Sequence, residues 1–140
     1  MTNPGYLRRY FLILALIQAL YLNGESQYLK RSLESLPEVR IEMSTPSVHI
    51  RPIFGAGDAN SDIIKGISRY FNLTVDPGGR SKKIKYPDDE HILYVLGGNA
   101  ILMWSKDKVP LTENDFVYIP AGMKYGFSNP NEKSFSVIVM

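Results

Sequence analysis

From Ile63 to the C-terminus, apolar residues gather in runs of four to eight, most of them alternating with polar ones, and turn residues separate the runs. Alternation puts every second side chain on one face of an extended chain, so such runs predict strands with one buried face. The predicted strands are Ile63–Ile67, Ser68–Val75, Ser81–Tyr86, His91–Leu96, Asn99–Ser105, Lys108–Leu111, Asp115–Ile119, Lys124–Ser128 and Ser134–Met140. Between them stand Asp76-Pro77-Gly78-Gly79, Pro87-Asp88-Asp89, Gly97-Gly98, Lys106-Asp107, Pro120-Ala121-Gly122 and Asn129-Pro130-Asn131, all strong turn formers. Many short strands at regular spacing predict an all-β sandwich or barrel over 63–140.

Upstream the pattern changes. Arg8 and Arg9 precede a run of thirteen residues, Tyr10 to Leu22, apolar apart from Gln18 and followed by Asn23 and Gly24. A basic flank, an apolar stretch of this length and a small residue predict a secretory signal peptide over 1–24, and hence an exported, periplasmic or secreted protein. The run is shorter than the roughly 20 residues that span hydrocarbon as a helix. An uncleaved membrane anchor and a buried helix are the alternatives, so any membrane association is expected only through this segment. Residues 25–62 read as an N-terminal helix and arm. Leu29, Leu33 and Leu36 recur at helical spacing before Pro37, which predicts a short helix over Glu25–Glu38. Arg40–Phe54 carries two prolines among alternating apolar positions and reads as an irregular arm with a possible strand. Gly55–Asp62 has loop composition, and its glycines match neither nucleotide-binding spacing.

Composition narrows the function classes. A chain of 140 residues has room for one domain. Its formal charge of +2 comes from Arg8 and Arg9, and a neutral body carries no electrostatic footprint for nucleic acid. With no cysteine, thiolate metal sites and a cysteine nucleophile are excluded, while either redox compartment is permitted.

Two blocks carry a family resemblance. Pro77-Gly78-Gly79-Arg80 opens the first and Tyr94-Val95-Leu96-Gly97-Gly98 closes it; the second holds Pro120-Ala121-Gly122 and Asn129, with Asn114 where glycine is common. Asn tolerates the left-handed conformation that glycine supplies there. Spaced in this way, the blocks resemble the paired signature of the cupin superfamily, type-2-like, over 63–140. The resemblance implies a double-stranded β-helix, or jelly-roll barrel, preceded here by the short helical segment, and a homodimer in which Arg40–Phe54 swaps or pads the interface.

It also locates the chemical positions. The family's two first-block histidines fall on Ile84 and Tyr86, its glutamate on His91 and its second-block histidine on Tyr125. Ile84 has no donor atom and neutral phenols ligate first-row divalent ions poorly, so no metal and no other cofactor is expected. On strands these residues share an inward face. Tyr86, His91, Tyr125, Ile84 and Trp104 are therefore the candidate ligand-binding residues, with a small polar molecule, a sugar or a carboxylated metabolite, as the expected partner. His91, Tyr86 and Tyr125 are candidate catalytic groups if the barrel works instead as a metal-independent isomerase or epimerase. A metal-dependent oxygenase that recruits Glu90 as substitute ligand is a weaker alternative, and plain packing of the tyrosines around His91 is the bland one. Asp88–Glu90 read as a solvated turn, Arg80 to Lys85 as a solvated edge strand, and His49 with Arg51 as exposed arm. Trp104, Met103 and Tyr118 belong at the barrel mouth or on a dimer surface.

Overall fold

The computed structural model describes residues 28–55, 58, 64 and 66–140. The chain divides into Met1–Lys30 and Arg31–Met140, and the second unit holds every element described below. Nine strands follow one 3-10 turn: β1 Val48–Gly55, β2 Arg69–Val75, β3 Ile84–Lys85, β4 His91–Gly97, β5 Ala100–Trp104, β6 Asp107–Leu111, β7 Phe116–Ile119, β8 Lys124–Ser128 and β9 Phe135–Val139. They form two antiparallel sheets, ordered β1-β2-β9-β4-β7 and β3-β8-β5-β6. The expected all-β architecture is what the chain adopts.

Alternation explains the core. Val48 and Ile50 on β1 lie opposite Val75 and Leu73 on β2, and Phe135, Val137 and Val139 on β9 continue the same layer. Leu93 and Val95 on β4 extend it, while Leu102 on β5 lies opposite Phe127 on β8 in the other sheet. These side chains form one buried cluster. The odd-numbered positions of β4 point inward, so Ile92, Leu96 and their neighbours Phe116 and Tyr118 on β7 are exposed on the outer face, where Tyr94 stacks on Phe116 at 4.5 Å.

Two blocks of turn chemistry hold the sandwich ends. Asn129 is fully buried, and its Nδ2 donates to the carbonyls of Val75 (3.0 Å), Asp76 (3.2 Å) and Lys133 (2.8 Å) while its Oδ1 accepts from the Asn131 amide. Asn114 takes the left-handed conformation anticipated for it, with φ 70°.

The chain departs from expectation at four places. Over the described part of Glu25–Glu38, the predicted helix is reduced to a single 3-10 turn, Leu33–Ser35, with Leu36 already extended. A helix of this length is marginal alone. Extended chain lets Arg31 pair with Asp58 and Val39 bridge to Ile50 instead. The arm, in turn, contains a full edge strand, β1, whose pairing with β2 tolerates Pro52 through an irregularity between Pro52 and Phe54. The sandwich thus takes in residues well before 63. Further on, the strand expected over Ser81–Tyr86 narrows to Ile84–Lys85, because Ser81 turns its hydroxyl to accept from the Phe127 amide at 2.8 Å. The signal-peptide segment 1–24 lies outside the described residues, and of the expected strand Ile63–Ile67 the described residues, Ile64, Gly66 and Ile67, belong to no strand, Gly66 taking a positive φ of 84° that breaks the extended run. Among the described residues no helix is long and apolar enough to cross a membrane.

His49 is only part of an exposed arm. Its Nδ1 lies 3.0 Å from Glu38 and its Nε2 3.0 Å from Asp76, and Arg51 also bonds Glu38, at 2.7 Å. Only the imidazolium donates from both nitrogens. The hydrogen bonds to Glu38 and then Asp76 raise the pKa of His49, and that to His49 lowers the pKa of Glu38. A histidine whose folded pKa is raised stabilises the fold fully below its unfolded value and loses that contribution as pH rises through the folded value. Since the cluster is solvent-screened, Tm should fall by only about 1–3 °C between about pH 6 and pH 8. Thermal melts at several pH values should show this slope in the wild type and a flat profile in His49→Gln.

Candidate functional site

The five candidate ligand-binding residues meet inside the sandwich. Ile84 on β3 and Trp104 on β5 both lie across from Tyr125 on β8, which places all three on one inward face. His91, the first residue of β4, reaches from the opposite sheet, and its Nδ1 stands 2.8 Å from the Tyr125 hydroxyl. Tyr86, just past β3, packs edge-on against His91 with ring centroids 4.6 Å apart. The convergence read from strand alternation is therefore present.

Three of these residues are, however, closed to solvent. Tyr125 is fully buried, and His91 and Tyr86 are 3% and 6% exposed. The aromatic rings fill the space between the sheets. Two grooves lie at the open end instead. The larger, about 460 Å³, runs between the arm and the start of β2, lined by Val39, Ile50, Phe54, Arg69 and Phe71 among others. The smaller, about 430 Å³, is lined by Ile41, Glu42, Arg69, Ile84, Lys85, Tyr86 and Pro87. Tyr86 and Ile84 thus form its inner wall, with His91 behind them.

This packing leaves two polar atoms without partners. Among the described residues, Tyr86 Oη and His91 Nε2 are the buried side-chain atoms that make no hydrogen bond. Such groups cost about 1–3 kcal/mol each when left unmatched, and native proteins keep few of them. Burial lowers the pKa of His91, so its ring is neutral at neutral pH. Burial also pushes both phenols up, that of Tyr125 beyond any ordinary working range; at Tyr86 the Arg69 charge and a polar contact from its guanidinium partly offset this, a contact that falls short of hydrogen-bond geometry and, coming from a donor, leaves the Tyr86 proton unmatched.

The network assigns the tautomer. If Nδ1 accepts from the Tyr125 hydroxyl, the one proton of Tyr125 is used and Nε2 carries N–H. The reverse arrangement would strand the Tyr125 proton as well. The unmatched pair is then two donors, His91 Nε2–H and Tyr86 O–H.

The donor set does not suit a first-row divalent ion. Such an ion takes several imidazole or carboxylate ligands around one point, and here one imidazole stands among an isoleucine and two neutral phenols. Glu90, the substitute considered above, is placed elsewhere: it is exposed and accepts from Tyr118 on the outer face at 2.8 Å. No group of three or more metal-ligating side chains gathers among the described residues.

Sequence reasoning missed Arg69. It precedes Phe71, Leu73 and Val75 at alternating positions on β2, so it belongs to the inward set, at the end where the sandwich opens. Its guanidinium carbon lies 4.3 Å from the centroid of the Tyr86 ring, and its Nε is 3.5 Å from Asp89. A charged residue at an inward position of a strand end was the available signal. Lys85 and Glu42, lining the same groove, carried none, since Lys85 points to the outward side of a two-residue strand and Glu42 lies in irregular chain.

A two-sheet antiparallel jelly roll with its polar cluster between the sheets defines a class of small barrel proteins. The chain belongs to the cupin family: the Cupin_2 cupin domain matches residues 71–140, half of its length. Among solved structures it is similar to a predicted oxalate decarboxylase from Thermotoga maritima, with 14% identity, TM-score 0.66, and 80% of this chain covering 98% of that one. It is also similar to a cupin-superfamily sugar phosphate isomerase from Silicibacter pomeroyi, with 21% identity, TM-score 0.60, and coverage of 79% and 73%. Identities this low show the fold alone. A mannose-1-phosphate guanylyltransferase from Salmonella montevideo is 39% identical over 67 residues, 47% of this chain, and the match spans only 14% of that protein.

Proposed function

We propose that this protein binds a small polar molecule, a sugar or carboxylated metabolite, against Tyr86, His91 and Tyr125, without a metal. The carrying observation is the pair of buried atoms with no hydrogen-bond partner, Tyr86 Oη and His91 Nε2, behind the wall of the smaller groove. A ligand that turns the Tyr86 ring aside would meet both. The names of the similar proteins, a sugar phosphate isomerase and a sugar-phosphate guanylyltransferase, favour a sugar-like ligand. The proposal includes export, on the pattern of residues 1–24, and a homodimer, on the family resemblance.

The single tryptophan, Trp104, lies beside Tyr125 and supplies an internal probe. A panel of sugars and sugar acids titrated against its fluorescence should find a saturable ligand. Tyr86→Phe should weaken that ligand about tenfold, the loss of one hydrogen bond made in a buried site. A ligand that binds equally well to Tyr86→Phe and His91→Gln would remove the barrel interior as its site.

A second reading is isomerase or epimerase chemistry, favoured by the neutral imidazole of His91 held at 2.8 Å from a phenol. His91 would accept the substrate proton and a tyrosine would return one. Turnover that survived His91→Gln would exclude it.

A further inference from the structure

Resting on the proposed pocket, we infer that its ligand is an anion, a sugar carrying a carboxylate or phosphate, and that Arg69 at the barrel mouth recognises the charge. Three observations converge on this. Arg69 stands on the path inward: it lines both grooves and its guanidinium lies over the ring of Tyr86, the residue that closes the way to His91. Its present partner holds it loosely. The Asp89 contact is 3.5 Å long between side chains 34% and 46% exposed, a geometry that an incoming oxyanion can exchange with little loss.

The second observation is the sign of the buried groups. His91 Nε2–H and Tyr86 O–H are both donors in the tautomer that the Tyr125 contact selects. A carboxylate or phosphate brings only acceptors, so it matches both donors and adds no unmatched proton of its own. A neutral hydroxyl also accepts from these donors, but it brings a proton of its own for which only the phenol oxygens offer lone pairs.

The third is the mix of charges at the groove. Glu42, which lines the smaller groove, and Asp89, which pairs with Arg69, are acceptors suited to sugar hydroxyls, while Arg69 lies over the ring that covers the two buried donors. A sugar acid or sugar phosphate offers partners to both kinds of group, with one anionic end and a run of hydroxyls. Arg69 therefore acts as a specificity residue, choosing the charged ligand over its neutral counterpart.

Full-length protein should be titrated with D-glucuronate, D-glucose 6-phosphate and D-glucose, with Trp104 fluorescence as the readout, at about 0.05 and 0.5 M salt. At least one of the two anions should bind about tenfold or more tightly than glucose, and high salt should weaken it. Arg69→Gln should abolish the preference while Arg69→Lys, which keeps the charge, retains part of it. Far-ultraviolet circular dichroism establishes that both variants fold, and Arg69→Lys carries the test if the glutamine does not. Glucose binding as tightly as both anions, through a site still sensitive to Tyr86→Phe, would overturn the inference and leave the pocket standing. So would an anion preference untouched by both Arg69 variants. Failure of all three probes to bind, or binding indifferent to Tyr86→Phe, would remove the pocket and the inference together.

Discussion

Gly98→Ala is expected to destabilise the fold by about 3 kcal/mol or more, lowering Tm by roughly 10–20 °C. Two effects add at this position. Gly98 has φ +76°, a conformation that costs an L-residue about 1–2 kcal/mol. A methyl group there would also collide with the Ser134 carbonyl oxygen and press on the Phe135 Cα at 3.1 Å. Both are backbone atoms at the entry to β9, which is hydrogen-bonded to β2 and β4 at the centre of the larger sheet. They cannot yield without shifting that strand. The neighbouring Gly97 is the control: its added Cβ meets nothing within 4 Å and its φ is not positive, so Gly97→Ala should melt close to the wild type. Equal melting of the two variants would refute the close approach of the β4–β5 turn to β9.

Asn129→Asp carries the other large effect, about 3–5 kcal/mol at neutral pH. The substitution keeps the shape and the oxygen that accepts from Asn131. It replaces the amide nitrogen, now donating toward three carbonyls, with an oxygen that faces them. The carboxylate is fully buried and no compensating cation enters among its contacts. Its folded pKa must therefore lie above the ordinary value, and protonation restores one donor. By linkage the deficit is full at neutral pH and shrinks as pH falls through that raised value, the reverse of the usual carboxylate behaviour. Denaturant titrations at about pH 4.5 and pH 7 should show the gap to wild type narrowing on acidification. A constant gap would mean that the damage is steric and not electrostatic.

Legibility in the sequence followed the range of the interaction involved. β4, β5 and β8 were readable because alternation and turn residues act within a few positions, and Asn114 because it serves a local turn. The family resemblance singled out Ile84, Tyr86, His91 and Tyr125 and alternation turned them inward, whereas Trp104 had two possible places, the barrel mouth and a dimer surface, and the pairing of β5 with β8 sets it across from Tyr125. What lay beyond reach depended on distances across the sandwich. Parity tells that His91 and Tyr125 point inward, but not that their rings close on each other and on Tyr86 and leave no open cavity. Arg69 escaped for a related reason: at the first residue of a strand the inward direction leads to the mouth, where a charge can stand, and only the fold shows what it covers. β1 was blurred by Pro52, which a strand tolerates at a sheet edge and seldom elsewhere. The N-terminal helix was overestimated because leucines at helical spacing were read without the competing contacts of Arg31 and Val39.

The edge strand β1 has a consequence for where this protein begins as an object. The family match starts at residue 71, inside β2, yet β1 and the buried Met43 come earlier in the chain. A fragment trimmed to the matched residues would bare the backbone edge of β2 and uncover the side of Leu73 and Val75 that Ile50 and Val48 now seal. An exposed apolar edge of that kind invites pairing with other chains. Ancestry, as it is recognised in a sequence, and self-sufficiency, as it is required in water, have different borders here.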